Sequence, residues 1–255
     1  MTARPAWRLG IALLLAAGTT HATHSLTFGV LAERPGEVVE GRYRPLMEYL
    51  SAQLDGTPVR LEVLNHEQLN DAVARNRLDL VLTNPSSLLL LRTQHRLGGA
   101  LATVVRREAD QSTSQMGGVI VTQAARTDIT RLTDLGGRRI AVPTRQSLGG
   151  FQAPAFELLQ VGIRLPAATT RPSGVGRQAP SRTGIQVLEV GTHDAVIRAV
   201  LDGRVDVGFV RSGVIESLTR DGGLDLSRLR VLNRQPLRQF PFAASTRLYP
   251  EWPVV

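Results

Sequence analysis

The chain has 255 residues, 42% hydrophobic and 20% charged, with a formal net charge of +8 and no cysteine, which excludes thiol nucleophiles, disulfides, thiolate metal sites and a lipid-modified N-terminal cysteine. All 30 basic residues are arginine, so lysine Schiff-base chemistry is excluded as well. The arginines are scattered and aromatic residues make up only 4%, which argues against a nucleic-acid surface and leaves a small anion as the better partner for arginine-lined space.

Arg4 and Arg8 precede and enter a short apolar run, Leu9 to Gly18, and Thr20-His21-Ala22 follows with small residues at the cleavage spacing. This pattern predicts a secretory signal over 1–22 and an exported, periplasmic product. No later apolar run is long enough to span a bilayer. Leu26–Leu31 predicts a strand, and 32–44, rich in Gly, Glu and Arg, reads as a loop. Pro45 is placed in the first turn of a helix whose face carries Leu46, Tyr49, Leu50 and Leu54. Val59, Leu61 and Val63 alternate with polar residues as in a strand. Asn65 with Gln68 has the spacing of a capping box, and a buried strand follows at 78–82. Asn84-Pro85 then caps and opens a leucine-rich helix. Strands are expected at 101–105, 117–123, 139–142, 185–190 and 228–232, with a helix at about 150–161. The polar stretch 106–115 is where the chain should cross between lobes, and 241–245 should bring it back to the first. Residues 166–184 hold almost nothing apolar and read as a disordered insertion.

One segment occurs twice. With a shift of 127, His66 falls on His193, Val73 on Val200, Arg77 on Arg204 and Asp79 on Asp206. Each copy starts with a cap, Asn65 or Thr192, continues as an amphipathic helix, bends near Asn76 or Gly203, and ends in a short apolar strand. The matched histidines read as residues that order the helix starts, and the matched aspartates as acceptors for backbone N–H groups. A helix–strand unit repeated at this distance predicts two similar α/β lobes, 25–113 with 234–255 and 116–232, and a ligand cleft between them.

The sequence contains no HExxH, GxSxG or Walker loop, and no metal set or cofactor motif. The expectation is a binding protein rather than an enzyme. Anion binding has better candidates, because helix N-termini offer free N–H groups. Three strand-to-helix turns stand at matching places: Asn84, Ser86 and Ser87; Ser147, Leu148, Gly149 and Gly150; Arg211 and Ser212. In the second, glycine lets backbone amides approach a ligand. In the third, Arg211 adds a bidentate donor. Arg34, Arg42 and Tyr43 form a fourth wall.

The stretches GGRRIAVPTRQSLGGFQAPAFELL (136–159), DLVLTNPSSL (79–88) and HDAVIRAVLDGRVDVGFVRSGVIESL (193–218) resemble periplasmic phosphonate-type solute-binding proteins. VRSGVIE (210–216) and STRLYPEWP (245–253) are most similar to the version that serves as sensor domain of tetrathionate-type two-component histidine kinases. The resemblance covers nearly everything from about residue 25 except the insertion. It implies an α/β type II periplasmic-binding fold, two Rossmann-like lobes around a Venus-flytrap cleft, and a small oxyanion ligand such as a sulfur oxyanion or a phosphonate. It further implies a membrane-bound kinase or an ABC permease as partner. Such families continue past the point reached at Val255 with a closing helix, and the kinases add a membrane helix and an ATPase domain. The chain is therefore expected to be a fragment or sensor remnant, and not itself a kinase. The alternative is the substrate-binding component of a phosphonate- or phosphate-type ABC transporter.

Overall fold

A computed structural model describes residues 25–32, 34–108, 111–167, 184–222 and 225–255. The signal segment and nearly all of the 166–184 insertion lie outside the described residues.

In chain order the elements are β1 (Leu26–Leu31), α1 (Gly36–Gln53), β2 (Val59–Leu64), α2 (His66–Ala74), β3 (Leu80–Leu82), α3 (Pro85–Gln94) and β4 (Ala102–Thr103). The crossing segment forms three short strands, β5 (Arg106–Glu108), β6 (Gln111–Thr113) and β7 (Gln115–Met116). There follow β8 (Gly118–Gln123), β9 (Arg139–Val142), α4 (Ala153–Gln160), β10 (Gln186–Glu189), α5 (His193–Leu201), β11 (Val207–Arg211), α6 (Val214–Arg220), β12 (Leu229–Leu232), β13 (Tyr249–Pro250) and β14 (Pro253–Val254).

Among the described residues two five-stranded sheets form, ordered β2-β1-β3-β14-β4 and β10-β9-β11-β8-β12. Each contains three parallel strands followed by an antiparallel one in fourth place, β14 or β8. Each fourth strand is supplied by chain arriving from the other lobe, so the two lobes are joined by two crossings. β8 is buried from Gly118 to Thr122, which is why its sequence is an unbroken run rather than an alternating one. Val119 and Val121 pack into one core with α5, while Ile120 joins Leu158 of α4 on the other face.

The repeat has the expected form. Asn65 and Gln68 make a reciprocal capping box, and Thr192 Oγ1 accepts from Ala195 N at 3.2 Å. Asn76 and Gly203 take matching left-handed positions, φ +50° and +69°. Asp79 accepts from Thr27 N and Asp206 from Arg139 N, each at 2.8 Å, so each carboxylate fastens its strand to the neighbouring parallel strand.

Three local expectations are corrected. Residues 36–44 are not loop: α1 begins at Gly36 and Pro45 lies inside it. Proline removes one helical hydrogen bond there, but Val39, Tyr43, Met47 and Leu50 pack on the first sheet at helical spacing and hold the segment. The buried face is accordingly this one, while Leu46, Tyr49 and Leu54 are exposed. The segment 241–245 does not return to the first lobe. Ser245 donates from its N to Gly118 O at 2.8 Å, and its Oγ accepts from Ile120 N at 2.8 Å, so it stays on β8. The return is made by β14, with Val254 opposite Leu82 and Ala102.

Candidate functional site

A cavity of about 40 Å³ lies between the lobes, where the C-terminal ends of β1 and β11 face each other. That is a few times the roughly 10–15 Å³ that one water requires by the same measure. Four arginines line it from separate parts of the chain. Arg34 follows β1, Arg42 lies on α1, Arg106 on the crossing strand β5, and Arg211 is the last residue of β11. Tyr43, Trp252 and the first residue of α5, His193, complete the polar wall, and Leu31, Val39 and Val214 supply an apolar one.

Arg34 is buried and spans the lobes. Its Nε and Nη2 donate to the two oxygens of Asp194, both at 2.7 Å, and Nη1 donates to Ser217 Oγ at 2.9 Å. Asp221 adds a carboxylate oxygen at 3.8 Å. The bond to Asp194 raises the Arg34 pKa above its ordinary value, against the opposing effect of burial. Arg211 Nη2 donates in a short contact to Glu251 Oε1, which also accepts from Arg106 Nε at 3.1 Å. The Arg211 guanidinium lies over the Trp252 ring, 5.5 Å from its centroid. Burial, then the neighbouring Arg211 charge, brings the Arg106 pKa down to about 10. Arg42 is also shifted down, by loss of solvent and then by Arg106, and no carboxylate of the described residues stands at ion-pair distance from it.

Two donors at this cavity are buried and, among the described residues, unmatched: Arg211 Nε and Trp252 Nε1. A buried donor with no acceptor costs about 1–3 kcal/mol, and two such donors stand beside this one cavity. The arginines that line the cavity outnumber the carboxylates paired with them.

The residues singled out in the sequence divide in two. Arg34, Arg42, Tyr43 and Arg211 line the cavity. Asn84, Ser86, Ser87, Ser147, Leu148, Gly149, Gly150 and Ser212 do not. Asn84 Oδ1 accepts from Ser87 N at 2.9 Å and from Ser86 Oγ at 2.8 Å. Ser147 Oγ accepts from Gly150 N at 3.1 Å, and Ser212 Oγ from Gly117 N at 2.9 Å. Leu148 packs into the core of the first lobe, and Ser86 reaches Gln146 O at 3.2 Å, so these turns join the lobes to each other. The glycines serve close packing. A Cβ on Gly149 would stand 2.9 Å from Gly117 O, and one on Gly150 would stand 2.5 Å from Pro143 Cγ. Arg106, Asp194, Glu251 and Trp252 were not foreseen as site residues. A lone acid beside tryptophan in the apolar stretch 248–255 was the one available signal for the last pair.

A second, more open groove of about 720 Å³ also lies between the lobes. It is lined by Asn65, His66 and Glu67 from the first copy of the repeat and by Arg145, Gln146 and Glu189 from the second lobe.

Comparisons with known proteins agree with this architecture. Residues 28–255 match the family described as "ABC transporter, phosphonate, periplasmic substrate-binding protein". The tetrathionate sensor histidine kinase TtrS of Salmonella typhimurium is 24% identical over 224 residues, which are 88% of this chain but only 35% of that protein. The phosphate-import protein PhnD of Mycolicibacterium smegmatis is 20% identical over 229 residues, 89% of this chain and 68% of that protein. Among solved structures, PhnD1 from Prochlorococcus marinus in complex with methylphosphonate superposes with a TM-score of 0.66 at 19% identity, covering 91% of this chain and 76% of that one. A binding-protein component of an ABC phosphonate transporter from Pseudomonas aeruginosa gives 0.65 at 13% identity, with 90% and 67% covered. The fold is the type II periplasmic-binding fold.

Proposed function

We propose a function from one premise: the chain belongs to the family of periplasmic phosphonate substrate-binding proteins of ABC transporters, and 28–255 is its solute-binding unit. Its ligand is a small oxyanion, a sulfur oxyanion or a phosphonate, seated between Arg42, Arg106, Arg211 and Trp252. The observation that carries this reading is the pair of buried, unmatched donors, Arg211 Nε and Trp252 Nε1, beside arginines that outnumber their carboxylates. The anion would bridge Arg211 at the end of β11 to the arginines of α1 and the crossing strand. Its binding energy is then available to favour the closed arrangement of the lobes over an open one.

The chain's role in this reading is sensory. An exported unit reports closure to a membrane-bound histidine kinase, in line with the match to the tetrathionate sensor over 88% of the chain. The transport reading, delivery of the anion to an ABC permease, is favoured by the family description and by the phosphate-import relative. Co-purification from membranes separates them: a histidine kinase partner supports the first, an ABC permease the second. No helix of the described residues is long and apolar enough to cross a membrane. A cleaved signal over 1–22 would account for export, and N-terminal sequencing of the secreted product tests it.

The ligand assignment is tested by calorimetric titration with sulfate, thiosulfate, tetrathionate, phosphate and methylphosphonate. Saturable binding of at least one, weakened by Arg211→Ala, is the expected result. Binding of a neutral sugar or a cation with no response to any anion overturns it.

A further inference from the structure

The strand β2 is an outer strand of the first sheet and pairs only with β1. Its six residues make it the longest outer strand of the two sheets, against four in β10 and β12 and two in β4. Its register, with the bonds from Leu26 N to Pro58 O and from Ala32 N to Leu64 O, turns the backbone of Arg60, Glu62 and Leu64 towards β1. Val59, Leu61 and Val63 therefore point their N–H and C=O groups off the edge. Ser51 Oγ accepts from Val59 N at 2.9 Å, and among the described residues the outward groups of Leu61 and Val63 have no partner. The side chains of Val59 and Leu61 line a groove of about 630 Å³ together with Glu40, Arg44, Met47 and Glu48 of α1. Arg60 and Glu62 stand on the other face of the strand. Arg60 is exposed, and Glu62 has an exposed ion pair to Arg77 at 3.4 Å, a contact of little worth in solvent.

We propose that this edge is an interaction surface for a second copy of the chain, the two β2 strands pairing antiparallel about a two-fold axis at Leu61. The inference is independent of the ligand reading. An unpaired edge is a template for another strand, and a two-fold contact must be complementary to itself. The run Val59-Arg60-Leu61-Glu62-Val63 meets that condition. Centred on Leu61, antiparallel pairing sets Val59 on Val63, Arg60 on Glu62 and Leu61 on Leu61. Opposite charges then face each other on both sides of the axis, where cross-strand neighbours interact most closely. Moving the axis by one residue sets Arg60 on Arg60 or Glu62 on Glu62, so charge selects the central register. In it the two Leu61 residues exchange N–H to C=O bonds, and Val63 N–H of each copy donates to Val59 O of the other. Opposite residues share a face of the sheet, so Leu61 and Val63 of one copy lie against Leu61 and Val59 of the other, at the groove beside α1.

Sedimentation of the full chain over a rising concentration series tests the surface. Wild type should pass from monomer to dimer. Arg60→Glu and Glu62→Arg each place two like-charged pairs across the axis, and each should weaken the dimer roughly tenfold. An equimolar mixture of the two variants should recover the dimer, because every cross-strand pair between them joins opposite charges. A merely structural role for either residue would not give that recovery. Thermal melts followed by circular dichroism check that both variants are folded, as expected for changes at solvent-facing positions. A wild type that stays monomeric to about 1 mM leaves the edge to solvent or to a strand of another protein and overturns the inference. So does a dimer indifferent to both reversals, or a mixture of the variants that fails to associate.

Discussion

In the first copy of the repeat, His66 and Glu67 open α2 beside the groove of about 720 Å³; in the second, His193 and Asp194 open α5 beside the cavity of about 40 Å³. Each space also receives an arginine three residues past the end of a strand, Arg34 after β1 and Arg145 after β9. Arg34 crosses to Asp194 in the opposite lobe. Arg145 stays in its own, with its N bonded to Glu189 at 3.0 Å and its Nη1 to Pro166 O at 2.8 Å. The strand ends differ too: the 127-residue shift sets Asn84 on Arg211, and the asparagine caps a helix where the arginine lines the cavity. One backbone plan thus gives a tied, arginine-walled cavity on one side and an open groove on the other. The choice turns on which acid the loop arginine meets.

The largest expected difference between the two sides lies in that ion pair. Asp194→Ala leaves Arg34 buried with Ser217 and a distant Asp221, and should cost about 3 kcal/mol of stability in urea unfolding, as for other broken buried pairs. It should also enlarge the radius of gyration in solution scattering as the lobes part. Glu67→Ala, at the matching and exposed position, should change stability by less than about 0.5 kcal/mol. Equal losses for the two would erase the asymmetry.

The matched strand ends come next. Arg211→Ala should weaken anion binding by about 1.5–3 kcal/mol, the range for a charged hydrogen bond. It should also lower stability, because Glu251 keeps only Arg106 as its ion-pair partner. Asn84→Ala should cost about 1 kcal/mol of stability through the lost helix cap, seen in denaturant unfolding. The turns that open α1 and α4 are compared in the same way. Gly150→Ala drives a Cβ to 2.5 Å from Pro143 Cγ and 2.8 Å from His193 Cε1, and should cost about 2 kcal/mol. Gly36→Ala meets nothing within 4 Å and should cost nothing measurable in the same unfolding assay.

The smallest effect concerns Asp206 in the second copy. Burial would raise its pKa, but bonds from Arg126 and from Arg139 N hold it below the ordinary carboxylate value. A depressed folded value means stability that is present above the unfolded pKa, near 4, and lost as pH falls through the folded one. Asp206→Asn should therefore cost about 1 kcal/mol at pH 7 and progressively less below pH 4, which unfolding curves across that range would show.

Much of the frame was legible because its signals are local. The caps at Asn65 and Thr192, the bends at Asn76 and Gly203 and the strands β8, β9 and β11 follow from spacing and side-chain type within a few residues. The anchoring role of Asp79 and Asp206 was readable from their position just before a strand. The start of α1 was not, since Pro45 and two nearby glycines argue against a helix that only packing on the first sheet sustains. The serine and glycine turns had the composition of ligand loops, yet their hydroxyls close their own helix ends and their glycines admit neighbouring backbone.

The sequence by itself determined two repeated α/β units, a family resemblance carried by stretches such as 136–159 and 193–218, and an arginine excess suited to an anion. Only the tertiary structure decided where that excess is concentrated. Arg106 and Glu251 are 145 residues apart, and Arg34 and Asp194 160, so no local pattern records that they meet. Their charges acquire pairing and burial, and Arg34 and Arg106 their shifted pKa values, only when two chain crossings bring the lobe faces together.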